Sequence, residues 1–416
     1  MVSIQDSSPS FFENAQPIPV DAIFQVIKDF LADPHPKKVN LGPGTYRDET
    51  GKPWILPSVR MATPLVADRG HEYLPISGSK VFREEAVKLV FNGTKPYSEG
   101  RIASCQSLSG TGALYLAGNV LRKVDPTPKA VYITDPTWPN HDLLFRSLGF
   151  DVRYLPYYKD KSFDFEGYII ELAIAPAGSI VILHSCAHNP TGCDPSKEQW
   201  KKIASVIQER HLFPIFDSAY LGFNSGSVND DTWAIKYFVD ELGLEASICV
   251  SFAKSMGLYA LIIDTSPGER IGLATFVTKS PSQVQTMSSI LENAQRATVS
   301  TPPLHGAEIA AAVLSTPEIS EQWGKDLITM SSRIKSMRKK LYEELVRLET
   351  PGDWSHIIKQ TGMFGFTGIS PAQIEHLQAK HHIYMADSSR ISIAGLNDGN
   401  FEHVAAAIND AVRNIH

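Results

Sequence analysis

Four cysteines (Cys105, Cys186, Cys193, Cys249) are too few to staple a chain of 416 residues, so a disulfide framework is excluded. No apolar run approaches the ~18 residues that a membrane span requires. Positive charge is not in excess either. The formal net charge is −6, and neither nucleic acid nor a membrane is an expected partner. A small anionic substrate would have to be met by individually placed arginines. The opening MVSIQDSSPSFFENAQPIP lacks both a basic start with an apolar core and the Arg-rich, acid-poor look of a mitochondrial leader. The closing RNIH is no peroxisomal address, and a cytoplasmic location is expected.

No CxxC pair occurs in the one cluster that invites a metal reading, His184, Cys186, His188 and Cys193. The plainer reading is that SIVILHSC is an apolar strand and the rest is its loop. No metal is expected.

What is present is a rhythm. KAVYITDP, GSIVILHSC, LFPIFDSAY and ASICVSFAK are short apolar runs, each followed by polar or glycine turns. Between the second and third, PSKEQWKKIASVIQER has Trp200, Ile203 and Ile207 at helical spacing, with Ser196 as its N-cap. Such alternation predicts a mostly parallel sheet with helices on both faces. Ligands then collect at the carboxyl ends of the strands. From about Pro317 the pattern becomes a long helical stretch, then short strands and a last helix, FEHVAAAINDAVRNI. This predicts a smaller α+β domain, made discontinuous by the N-terminal helix DAIFQVIKDFLAD. The expected division is an arm over 1–18, a small domain over 19–49 and 326–416, and a large cofactor-binding domain over 50–325.

Chemistry-bearing residues sit at those strand ends. SLSGTGAL opens a helical run, so Ser109, Gly110 and Thr111 would offer N–H groups and hydroxyls to a phosphate. A dinucleotide fingerprint is rejected because Tyr115 stands where its third glycine belongs. Asp217 ends the buried strand FPIFD, and a carboxylate there is costly unless paired, by a salt bridge, an N-cap or a ligand. Tyr220 and Asn189 lie close by in sequence or at the preceding strand end. Lys254 follows ASICVSFA, where partial desolvation lowers an amine's pKa and makes it a nucleophile and base. Most lysines after strands are merely solvated, but Ser251 and Arg270 nearby would complete a phosphate cradle. Together these are the groups that pyridoxal 5′-phosphate demands: a lysine for a Schiff base, an anion for the ring nitrogen, donors for the ring oxygen and a phosphate site.

In order, HEYLPISG, SLSGTGAL, PTWPNH, HSCAHNPTG, FDSAYLGF, SFAK, GERIG and GMFGFTG resemble the aspartate aminotransferases of the eukaryotic cytosolic type, from about Pro19 to the C-terminus. The resemblance implies the type I fold of pyridoxal phosphate enzymes, an α/β architecture with a smaller discontinuous domain. It implies a homodimer with shared sites that converts L-aspartate and 2-oxoglutarate to oxaloacetate and L-glutamate. Lys254, Asp217 and Tyr220 would be catalytic, with His141 behind Asp217. Asn189 would join Tyr220 at the ring oxygen, and Trp138 would stack on the ring. Ser109, Gly110, Thr111, Ser251 and Arg270 would hold the phosphate, joined by Tyr73 of a second subunit. Arg390 would clamp the substrate α-carboxylate and Arg296 of the second subunit the distal one, with Gly44 lining the pocket.

Three departures from the family stand out. Pro43 replaces an aliphatic residue in LGPGTYRD, and Thr301 replaces an asparagine in STPP. More unusually, ALIIDTSP (Ala260 to Pro267) interrupts the stretch between Lys254 and Arg270. Since both must meet one cofactor, the segment predicts weakened turnover. Two rival functions remain open on the sequence: an aromatic aminotransferase on the same scaffold, and a cofactor-binding dimer that turns over poorly.

Overall fold

The computed structural model describes residues 10–127, 130–259 and 268–415. The interrupting segment, Ala260 to Pro267, lies outside the described residues.

The centre is a seven-stranded sheet. Its strands are β1 (Ile102–Ser107), β2 (Ala130–Asp135), β3 (Asp151–Pro156), β4 (Ile180–His184), β5 (Phe213–Ser218), β6 (Ala246–Ser251) and β7 (Gly272–Val277). They lie in the order β1-β7-β6-β5-β4-β2-β3. All neighbouring pairs are parallel except those of β7, which runs antiparallel to both β1 and β6. The four apolar runs of the sequence are therefore β2, β4, β5 and β6. The other three strands are less apolar or lie beyond the interrupting segment.

Both faces of the sheet are covered, which is why its strands read as unbroken apolar runs. Alternate residues belong to two cores. Ile133, Ile182, Ile215, Cys249 and Phe276 pack on one side with Leu114 and Ala117 of the helix Ser109–Val124 and Leu291 of the helix Ser282–Thr298. Tyr132, Val181, Phe216, Ile248 and Leu273 face the other way, onto Trp200, Ile203 and Ile207 of the helix Lys197–Glu209. Ser196 caps that helix as the spacing predicts, in a reciprocal pair with Gln199.

The predicted helices at both ends of the chain form, over Ala22–Ala32 and Phe401–Asn414. Asp21 caps the first by accepting from the N–H groups of Ile23 and Phe24. That helix packs on a two-stranded parallel pair, Val39–Asn40 with Ile383–Tyr384, so the two ends of the chain meet. The 31-residue helix Pro317–Arg347 touches the helix Pro57–Val66 as well as Phe401–Asn414. No helix among the described residues is long and apolar enough to cross a membrane. All four cysteines are unpaired.

Register fixes what gathers at one sheet edge. His184 pairs with Asp217 across β4 and β5, and Asp217 with Cys249 across β5 and β6. Because β7 is antiparallel, its first residue, Gly272, pairs with Ser251 and Ser107, the last residues of β6 and β1. The ends of β1, β4, β5 and β6 and the start of β7 therefore share one rim. A side chain at Gly272 would put a Cβ 2.6 Å from the backbone of Ser109 and from the Val250 carbonyl oxygen. Only glycine lets the helix Ser109–Val124 start so close to the sheet.

Candidate active site

A cavity of about 550 Å³ opens at that rim. Its wall includes Ser109, Gly110 and Thr111 from the first turn of the helix, Asn189 from the loop after β4, Asp217 and Tyr220 after β5, and Ser251, Lys254 and Arg270 between β6 and β7. Trp138, Gly44 and Arg390 also line it. Twelve of the residues singled out in the sequence thus meet in one place, although they span most of the chain.

Asp217 is buried, and burial alone would push its carboxyl upward. The hydrogen bond and charge of His141, then His184 and Lys254, outweigh that and hold it below its usual range. His141 Nε2 donates to Asp217 Oδ2 at 3.0 Å, and its Nδ1 meets the Thr137 hydroxyl at 2.8 Å. An acceptor-only carboxylate fixes Nε2 as the protonated nitrogen. His141 is fully buried and stands behind the carboxylate instead of lining the cavity. Among the described residues no hydrogen bond reaches the other oxygen, Oδ1.

Lys254 forms no ion pair among the described residues. Its ammonium lies 5.1 Å from the centre of the Tyr259 ring. Burial, and secondarily the Arg270 guanidinium, push the amine down to about 8, with Asp217 pulling the other way. Tyr220 is shifted upward by burial and by Asp217, so its hydroxyl stays protonated as a donor. Ser109, in a left-handed conformation at φ 58°, brings its hydroxyl to 2.7 Å from that of Ser251. Two hydroxyls and the first N–H groups of the helix Ser109–Val124 converge there, the ordinary makings of an anion site. A Cβ on Gly110 would sit 3.4 Å from Ser251 and 4.0 Å from Asp217 Oδ1, so the glycine keeps this floor open.

Arg390 is buried. One terminal nitrogen donates to the Gly42 carbonyl at 2.6 Å, the guanidinium lies 4.3 Å over the Phe364 ring, and Nε has no partner. No carboxylate pairs with it among the described residues, an arrangement that is costly until an anion arrives. Asn189 Oδ1 is likewise buried without a partner.

Two expected residues are elsewhere. Tyr73 is 89% exposed, and Arg296 is exposed and donates to the Ser300 hydroxyl. Neither lines the cavity of its own chain. Conversely, the sequence weighs His184 only as a strand end and a member of a rejected metal cluster, yet it lines the cavity 3.9 Å from Asp217, and burial drives its imidazole down to about 3. Its one sequence signal is the matching position of HSC and FDS at adjacent strand ends. Ile23 and Phe24 of the first helix and Phe364 complete the mouth. Neither group of three metal-capable side chains among the described residues includes Cys186 or Cys193.

Lys254 and Arg270 flank the interrupting segment and still face the same cavity. The pairing of Ser251 with Gly272 holds the two strands in register.

Comparison with known proteins agrees in every direction. The family profile for aminotransferase class I and II matches residues 36–408. The chain is 47% identical to the cytoplasmic aspartate aminotransferase of Schizosaccharomyces pombe over 97% of its own length and 98% of the relative's. Against that of Saccharomyces cerevisiae the identity is 43%, covering 98% of each. The solved structure of the cytoplasmic aspartate aminotransferase of Saccharomyces cerevisiae superposes with a TM-score of 0.93 at 42% identity, covering 98% of this chain and 99% of that one. An aromatic-amino-acid aminotransferase of Burkholderia pseudomallei, covalently bound to pyridoxal phosphate, reaches 0.92 at 36% identity over 97% and 100%.

Proposed function

The chain belongs to the class I and II aminotransferases, and within that family we propose that it is a cytoplasmic, pyridoxal 5′-phosphate-dependent aspartate aminotransferase that moves the amino group of L-aspartate to 2-oxoglutarate. One observation carries the reading: Lys254, Asp217 and the anion-free Arg390 face a single cavity at one sheet rim.

The cavity fits the cofactor. Unpartnered Oδ1 of Asp217 suits a protonated ring nitrogen, Asn189 and Tyr220 suit the ring oxygen, and Trp138 offers a flat face. Ser109, Gly110, Thr111, Ser251 and Arg270 form a phosphate cradle of hydroxyls, N–H groups and one cation. When bound, the cofactor supplies a carbonyl to receive the amino group and a protonated ring that draws electrons from the substrate α-carbon.

The chain's own residues do the rest. Lys254 Nζ would hold the cofactor through its amine and, when free, would take the proton from the substrate α-carbon. An amine held near 8 is a usable base at neutral pH. Asp217, kept ionised by His141, holds the ring nitrogen's proton in place. Arg390 receives the α-carboxylate on its free edge, which orients the α-hydrogen toward Lys254.

Selectivity for dicarboxylates is assigned to Arg296, and part of the phosphate site to Tyr73, both supplied by a second copy of the chain. Their exposure and distance from their own cavity support a homodimer with shared sites. We likewise divide the chain into a large unit over 50–325, which carries the sheet, and a small one over 19–49 and 326–416. The pairing of Val39–Asn40 with Ile383–Tyr384 supports that division.

The experiment is a half-reaction. Purified holoenzyme mixed with L-aspartate alone should release one oxaloacetate per site, read by a coupled reductase, while the cofactor absorbance changes. Release of phenylpyruvate from phenylalanine, with no oxaloacetate from aspartate, would favour the aromatic reading that the second structural relative suggests.

A further inference from the structure

Far from the cavity, three imidazoles crowd the junction of two helices. His376 and His381 lie five residues apart on the helix Pro371–His381, and Asp410 projects from the helix Phe401–Asn414. Both imidazole Nε2 atoms approach the same carboxylate oxygen, Asp410 Oδ2, at 2.8 Å. Lys380 Nζ donates to that oxygen as well, also at 2.8 Å. His403 Nε2 donates to the His381 carbonyl at 3.0 Å.

This is more than a salt bridge needs. A carboxylate oxygen has two lone pairs, yet three donors converge on Oδ2 while Oδ1 accepts only from Asn414, at 2.9 Å. Asn414 therefore orients the carboxylate, and His403 tethers the backbone that carries His381. The ligand atoms of His376, His381 and Asp410 all lie within 4.8 Å of one another. The three side chains are 20, 20 and 24% exposed, so an ion has a path in from solvent.

We propose that His376, His381 and Asp410 form a binding site for a divalent transition-metal ion, with zinc the best match to two imidazoles and one carboxylate. Two ligand atoms 2.8 Å apart subtend about 90° at an ion roughly 2.0–2.1 Å from each, so the carboxylate and each imidazole need open by only about half an ångström to reach tetrahedral spacing. In the bound state each imidazole presents the Nε2 lone pair to the ion and carries its ring proton on Nδ1. Lys380, 55% exposed, swings into water, because its ammonium occupies the place and the charge of the ion. Three protein ligands leave at least one position for water. The ion would pin the C-terminal helix to the helix Pro371–His381, and by binding only the folded chain it would raise stability.

The test uses the pyridoxal phosphate-loaded enzyme, titrated with zinc chloride against a chromophoric chelator. Wild type should take up one zinc per chain. His376→Ala and His381→Ala should each weaken that uptake by about tenfold or more, with aspartate transamination unchanged. Lys380→Ala should tighten zinc several-fold, a direction opposite to its loss from a simple salt-bridge cluster. Should either histidine variant fold poorly, Lys380→Ala and Asp410→Asn decide the matter, with Asp410→Asn losing the site. No uptake by wild type at about 100 µM zinc, uptake untouched by the histidine variants, or weaker binding in Lys380→Ala overturns the proposal.

Discussion

His141 donates Nε2–H to Asp217 Oδ2 across 3.0 Å in a place closed to solvent, and this bond is the leading contact that keeps the cavity floor ionised. Burial pushes the carboxyl up, and His141 leads the groups, with His184 and Lys254 behind it, that together outweigh burial. His141→Ala should therefore let the acid limb of kcat/KM move to higher pH, since the carboxylate then protonates more easily. Asp217→Asn removes the anion outright and should lower kcat by roughly a hundredfold or more while the fold survives. The pH profile of each variant is the readout. An unmoved acid limb in His141→Ala would show that His141 is only a packing residue.

Lys254 carries the second prediction. With its amine lowered to about 8, the fraction able to attack a carbonyl rises with pH up to that value and levels above it. Cofactor-free protein mixed with pyridoxal phosphate should thus bind covalently at a rate that climbs and then flattens near pH 8, followed by absorbance. A rate still climbing at pH 10 would mean an ordinary solvated lysine. Lys254→Ala should keep cofactor affinity through the phosphate cradle yet lose nearly all turnover. Retention within about tenfold, some 1.4 kcal/mol of barrier, would remove Lys254 from its role.

The two arginines should separate by substrate. Arg390→Ala should damage aspartate and alanine alike, because both carry an α-carboxylate. Arg296→Ala should damage aspartate alone, by about 2 kcal/mol or more, roughly 30-fold in kcat/KM. Equal losses on both substrates in Arg296→Ala would defeat its assignment.

Much of the sheet and of the cavity is legible in the amino-acid sequence. The four apolar runs form β2, β4, β5 and β6 because a strand buried on both faces must be apolar throughout. Asp217 and Lys254 stand out because charge at the end of such a strand needs a reason. The outer strand β3 is harder to see, since DVRYLP alternates exposed and buried residues and carries Arg153. The place of His184 beside Asp217 escapes notice for a different reason. Its meaning depends on register with Asp217, and pairing between strands some 30 residues apart is not written locally. The cluster around Asp410 is equally silent in the sequence, because its histidines and its carboxylate lie on separate helices.

Sharing of sites can be tested by mixing. On this reading Lys254→Ala chains are inactive toward aspartate and Arg296→Ala chains keep at most a few per cent of wild-type kcat/KM. In a mixed dimer one cavity combines intact Lys254 with intact Arg296, and the other has neither. Random exchange of equal amounts should therefore restore about a quarter of wild-type activity. No recovery after exchange has been verified by mass would mean that each chain completes its own cavity.

The interrupting segment, Ala260 to Pro267, supplies the last test. Its position in the sequence raises the prospect of weak turnover, because a shift of about 1 Å between cofactor-binding groups can cost on the order of a hundredfold. Loop length alone is no obstacle, since even doubling a loop costs only about 0.6 kcal/mol. The decisive matter is register, and the flanks keep it. Ser251 still pairs with Gly272, Lys254 and Arg270 line one cavity, and the Tyr259 hydroxyl accepts from the Tyr46 N–H. With both ends anchored, a chain lacking 260–267 should match the full chain within about tenfold in kcat/KM for aspartate. A larger gain on deletion would show that the segment disturbs the site in spite of its flanks. A large loss would show that the segment has become part of how this chain holds Arg270 in place.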